Sequence, residues 1–166
     1  MINLNGLIYQ LPKEIKLLIG AFIIVLSIGF YSGLLFVKEN SSTQPNGIEE
    51  HYLGNEDIED VKVMKFKKSK KEILTTVHNH ILSMSIIFFI LGFIISITQI
   101  NIRLKLFLMI EPFISVILTF GGIYLMWTGL HWMKYVVMIS GILMTTCFTM
   151  AVLLVLRQLT RSPILK

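Results

Sequence analysis

The chain has 166 residues, 54% of them apolar and only 15% charged, with a mean hydropathy of +0.74. A soluble domain carries about 25% charged residues, so this balance points away from a water-soluble core and towards lipid. The net charge of +5 sits mostly at the ends of apolar runs, which makes the lipid bilayer, with its headgroups, the expected polyanion partner and argues against nucleic acid.

The first apolar run, 17–37, holds no charge over 21 residues, enough to cross the hydrocarbon core. It is too long for a signal peptide and lacks a convincing small-x-small cleavage site. Residues 38–72 form the one sizeable polar segment. It opens with the turn-rich Asn40-Ser41-Ser42-Thr43-Gln44-Pro45-Asn46-Gly47, continues with Glu49, Glu50, Glu56, Asp57, Glu59 and Asp60, and closes with Lys62, Lys65, Lys67, Lys68, Lys70 and Lys71. About 35 residues are too few for a separate core, so an ordered loop or short helix lying on the membrane domain is expected. The lysines alternating with Met64 and Phe66 suit the headgroup zone.

The second span is expected over 75–100, its preceding turns standing in the interface. The short link Asn101-Ile102-Arg103-Leu104-Lys105 requires an antiparallel neighbour. The third span, about 108–130, is interrupted early by Glu111-Pro112, and its main helix is expected to start near Pro112 after an interfacial lead-in. The fourth span is 135–156. The fold class is therefore an all-α membrane protein: a single membrane domain over 1–166, built as a four-transmembrane-helix antiparallel bundle with one polar loop between the first two helices.

Orientation rests on thin differences. With the termini cytoplasmic, seven Lys and Arg lie inside and eight lie on the other side, so the positive-inside count is nearly tied. The flanks of the first helix and the eight acids of the loop tip the expectation towards cytoplasmic termini and a periplasmic loop.

Four histidines carry the chemical lead. His51 lies in the loop, His78 and His80 open the second span, and His131 ends the third, so the topology puts all four on one face of the membrane. Imidazole suits haem and zinc, copper, iron or nickel. His78, His80 and His131 are thus candidate haem ligands, and His51, His78, His80 and His131 candidate metal ligands, with haem b or a transition metal ion as the cofactor. A haem needs two histidines on different helices at similar depth, which leaves His78 or His80 with His131. On a regular helix His78 and His80 point nearly opposite ways; only an extended first turn would let both reach one metal. Met84, Met126 and Met133 lie in the same half and offer sulfur ligands for copper. The bland alternative is histidines bonded to headgroups, water or backbone.

Glu111 is the lone carboxylate inside an apolar run and a candidate ion or proton site; the competing expectation is that it reaches the interface near Arg103 and Lys105. Gly29 and Gly33, Gly121-Gly122, Gly92 with Ser96, and Ser140-Gly141 supply small positions for close packing, within the bundle or against another subunit. Trp127, Trp132, Tyr124 and Tyr135 read as an aromatic belt, and Cys147 as a small apolar packing residue. No nucleophile–base pair, phosphate loop or paired-carboxylate site is visible, so an enzyme is not expected.

The segment Gly47-Ile48-Glu49-Glu50-His51-Tyr52-Leu53-Gly54-Asn55, followed by Glu72-Ile73-Leu74-Thr75-Thr76-Val77-His78-Asn79-His80, resembles small uncharacterised bacterial four-helix inner-membrane proteins with a G-I-x-E-H-Y loop and an H-x-H at the start of the second span. The resemblance implies a multi-pass protein of the bacterial inner membrane. Two functions stay open: a subunit binding haem or a transition metal for electron transfer or metal handling, and a non-catalytic scaffold or assembly subunit of a larger membrane complex.

Overall fold

A computed structural model describes residues 4–40, 44–56 and 63–160. Asp57, Glu59, Asp60 and Lys62 of the charged segment, and Arg161 and Lys166, lie outside the described residues.

Helix α1 is Lys13–Asn40, α2 Pro45–Leu53, α3 Lys70–Ser96, α4 Ile102–Val116, α5 Gly122–Trp127 and α6 Met133–Leu159; a π-helical stretch, Ile117–Gly121, joins α4 to α5. Four segments are long and apolar enough to cross a membrane: Lys13–Glu39, Lys70–Ser96, Ile102–Trp127 and Met133–Leu159. No strand occurs among the described residues. The all-α, four-span architecture is thus present.

The second and third spans begin earlier than expected, each at a side-chain cap, and end earlier too, at Ser96 and Trp127. α3 begins at Lys70 because Ser69 accepts from the Glu72 amide while the Glu72 carboxylate accepts from the Ser69 amide at 2.8 Å, a reciprocal capping box. α4 begins at Ile102 because the Asn101 side chain accepts from the Arg103 amide at 2.9 Å. Pro112 does not start the third helix, as the sequence suggested, but lies inside it. Its missing N–H costs one backbone bond. Neighbouring helices and local changes of pitch make such a proline tolerable in a span, and here the ladder changes from α to π five residues later.

Lipid gives helices no hydrophobic reason to associate, so close packing and polar pairs between helices set the bundle. The close approach of α5 to α6 needs Gly122: a Cβ there would stand 2.8 Å from Val137 Cγ2. Thr119 and Ser140 share a hydrogen bond of 2.7 Å between the π stretch and α6. The core holds Phe88, Leu91, Ile95, Val116, Met126, Cys147, Phe148 and Val155. Cys147 is buried there, as expected of a packing residue.

The first helix is held differently. Only 11% of its span is buried, against 50% for the third. It meets α6 through Phe30 stacked on Phe148, centroids 3.9 Å apart, and through a Tyr31–Thr149 hydrogen bond of 2.8 Å. Among the described residues no packing neighbour lies within 4 Å of where a Cβ would stand at Gly29 or Gly33, so none of them uses these two small positions for close packing.

Candidate functional site

At the loop-side end, α2 lies across α5 and α6. Pro45 is placed in its first turn, where its missing N–H costs nothing. The helix stops at Gly54, whose φ of +82° and ψ of 179° suit glycine. Asn55, buried, then ties the chain back on itself: its Nδ2 donates to the Val63 carbonyl at 3.0 Å, and its Oδ1 accepts from the Lys65 amide at 2.7 Å. The lysine-rich stretch that follows is pinned to the bundle by Trp127, whose Nε1 donates to the Lys68 carbonyl at 2.8 Å, with Lys67 Nζ 5.3 Å from the same ring. Val63, Met64 and Phe66 remain exposed beside these lysines, as an interfacial segment requires.

Glu49 of α2 is the centre of this end. Its Oε1 lies 2.6 Å from His131 Nδ1 and its Oε2 2.5 Å from Lys134 Nζ; Lys134 also donates to Asn46 Oδ1 at 3.0 Å. Burial alone would raise the Glu49 carboxyl, but the hydrogen bonds from Lys134 and His131, with their charges, outweigh it and hold the group below its ordinary value. Burial pushes the Tyr52 phenol, on the same helix, upwards.

The four histidines are placed separately. His51 sits on α2 with its ring edge-on to Tyr52. His131 is tied to Glu49. His80 stacks on Phe120, centroids 4.7 Å apart, and its Nδ1 lies 2.8 Å from the Thr76 carbonyl. His78 is exposed in a shallow hollow with Leu74, Thr75 and Asn79. α3 is unbroken from Lys70, so the extended turn that would aim His78 and His80 at one metal is not formed. Phe120 precedes the end of α5 by seven residues, which is about 10 Å along a helix, so His80 lies well below His131. No group of three or more His, Cys, Asp or Glu able to hold a metal ion occurs among the described residues. Met126 and Met133 are buried in the core.

A second polar site lies in the other half of the bundle. Glu111 is buried, 7% exposed, and Ser115 Oγ donates to its Oε1, while Oε2 has no hydrogen-bond partner among the described residues. Cys147 of α6 is close enough to interact electrostatically with this carboxyl. Glu111 does not reach an interface beside Arg103 and Lys105, as the sequence alternative had it. Lys105 is itself buried, and its ammonium donates to Asn5 Oδ1 at 2.9 Å, the Ser96 carbonyl at 2.9 Å and the Thr98 carbonyl at 2.7 Å. Sequence reasoning treated Lys105 as an interfacial flank. Nothing in its spacing separates it from Arg103, because its partners come from the amino terminus and the α3–α4 turn.

A family model described as a transmembrane helical domain matches residues 42–164, about three quarters of the chain. The chain belongs to that family. The match takes in the loop helix and the last three spans, which agrees with the membrane bundle described above. No curated protein and no solved structure matches the chain.

Proposed function

We propose that this small multi-pass membrane protein is a non-catalytic scaffold or assembly subunit of a larger complex in the bacterial inner membrane, with its termini cytoplasmic and its loop periplasmic. The observation that carries the reading is the first helix. Its span is the least buried of the four, and its Gly29 and Gly33 are open where small residues ordinarily let another helix approach closely. The test is particle size after mild solubilisation of native membranes. The wild-type chain is expected in a particle larger than itself. Gly29→Ile or Gly33→Ile should release it, while His78→Ala and His131→Ala should not. A wild-type chain that runs free in several detergents, or glycine variants that stay assembled, would sink the reading.

The second reading, a subunit that binds haem b or a transition metal at its histidines, is favoured by one specific feature. His80 and His131 each have Nδ1 held by an oxygen, a carbonyl in one case and a carboxylate in the other. Ligand histidines are commonly oriented in this way, leaving Nε2 for the metal. A reduced-minus-oxidised absorption spectrum with elemental analysis of the same purified sample tests it. A stoichiometric haem or metal, lost in His80→Ala, would replace the scaffold reading; a colourless and metal-free folded protein would remove this one.

A further inference from the structure

Glu111 stands nine residues into the third span, about 14 Å from its start at 1.5 Å per residue, and so within the apolar layer. An ionised carboxylate at such a place needs a counter-charge or a full set of donors. Glu111 has neither. One oxygen takes a single hydroxyl bond from Ser115 and the other has no partner among the described residues. Among the described residues the packed neighbours supply no cation. α3 carries no ionisable residue between His80 and its end at Ser96. On α6 the ionisable groups are Lys134, committed to Glu49 and Asn46; Tyr135 and Arg157, both exposed; and Cys147, the neighbour of Glu111. On its own helix Arg103 is exposed and Lys105 is spent on three oxygens. The backbone is also irregular here. The π stretch Ile117–Gly121 begins two residues after Ser115, and such stretches recur at functional sites.

We propose that Glu111 is a proton-binding site within the membrane: Ser115 fixes one oxygen of its carboxyl, and the second oxygen, buried and without a hydrogen-bond partner among the described residues, is the point of proton exchange. This stands apart from the scaffold and haem readings, neither of which uses Glu111.

The experiment treats the full-length chain, reconstituted in lipid vesicles at neutral pH, with dicyclohexylcarbodiimide, an apolar reagent that consumes protonated carboxyls. The carboxyl oxygen bonds to the carbodiimide carbon, the carboxyl proton passes to a nitrogen, and an oxygen-to-nitrogen acyl shift leaves a stable adduct. One adduct is expected, mapped by mass spectrometry to Glu111, absent in Glu111→Gln and unaffected by sodium. Adducts confined to the loop carboxylates overturn the proposal. Protection by sodium at fixed pH overturns it in favour of a metal cation. Should the bulky reagent fail to reach the site, the infrared spectrum decides: the carbonyl stretch of a protonated acid is expected in the wild type and missing in Glu111→Gln, and its absence from the folded wild type overturns the proposal.

Discussion

Lys105 and Glu111 lie six residues apart on one helix, and both are buried ionisable groups in the apolar half of a sequence with few charges. Their surroundings differ completely. Lys105 has three donors and three oxygens within 2.9 Å to receive them. Glu111 has one oxygen met and one left over. The first arrangement ties the amino-terminal residues and the α3–α4 turn to the third span, so the charge is a structural fastener. The second spends burial without a matching return in bonds, and groups of that kind are where function is sought. A buried charge is informative through its partners more than through its presence.

The comparison breaks most visibly at Lys105. Lys105→Met removes the donor for the half-buried Ser96 carbonyl and the buried Thr98 carbonyl, and cuts the tie to the exposed Asn5 side chain. The expected loss is about 3 kcal/mol, at one to three per orphaned group with partial relief from water at the interface. Unfolding in mixed micelles with increasing SDS reads it. A loss below about 1 kcal/mol would mean that the fastener is not one.

A similar contrast applies to the loop, and Gly54→Ala is expected to have the next largest effect. Gly54 combines φ of +82° with a site where a Cβ would stand 2.8 Å from the Lys65 carbonyl oxygen and the Lys67 nitrogen. Both the conformation and the space resist a side chain, so about 2 kcal/mol of local stability should be lost. Hydrogen exchange at the Asn55, Lys65 and Lys68 amides should speed up sharply, while amides inside α6 keep their protection. Unchanged exchange at those three amides would refute the turn's role.

Glu49 follows in size. Its carboxyl is held below the ordinary value by Lys134 and His131. The stability it contributes is present above the unfolded-state value, about 4.3, and is lost as pH falls through the lower folded-state value. Acidification through that range should loosen α2 from α6, by roughly 0.5–1 kcal/mol for a partly exposed ion-pair network. Glu49→Gln should show the loosening already at neutral pH and lose most of the acid dependence. The fluorescence of Trp127, next to the loop it pins, is a suitable reporter; an acid transition identical in wild type and Glu49→Gln would place its cause elsewhere.

The four spans were legible in the sequence because an uninterrupted apolar run of about 20 residues matches the thickness of the hydrocarbon layer, and a water-soluble helix of that length would carry a polar face. The loop helix was partly legible, since Pro45 and the polar segment suggested an ordered element on the bundle. Side-chain partnerships were not legible. His131 meets a carboxylate 82 positions away, and Lys105 meets Asn5 across 100 positions; local spacing carries no trace of either. Topology led to the expectation of four histidines on one face, but a face is about as wide as the bundle, whereas a ligand set must agree in depth and azimuth, and no such set occurs among the described residues. The course of the third helix through Pro112 was missed because a proline rule drawn from isolated helices ignores the neighbours that support it here.

Glu111→Gln should have the smallest effect of all on stability, and that makes it informative. If the carboxyl carries a proton, glutamine replaces a neutral group of nearly the same shape by another, and Ser115 can still donate to the side-chain carbonyl oxygen. The unfolding free energy should then move by less than about 0.5 kcal/mol, within the range of a neutral hydrogen-bond exchange. If the carboxyl were ionised in its present surroundings, removing an unpaired charge from the apolar layer would stabilise the fold by more than that, since breaking or relieving a buried charge is worth several kcal/mol. A large destabilisation would mean instead that Glu111 is a fastener like Lys105. Measured side by side in the same mixed micelles, Lys105→Met and Glu111→Gln should therefore differ by more than about 2 kcal/mol although both replace a buried ionisable side chain on one helix, and it is this difference that separates a charge used to hold the bundle from a group free to exchange its proton.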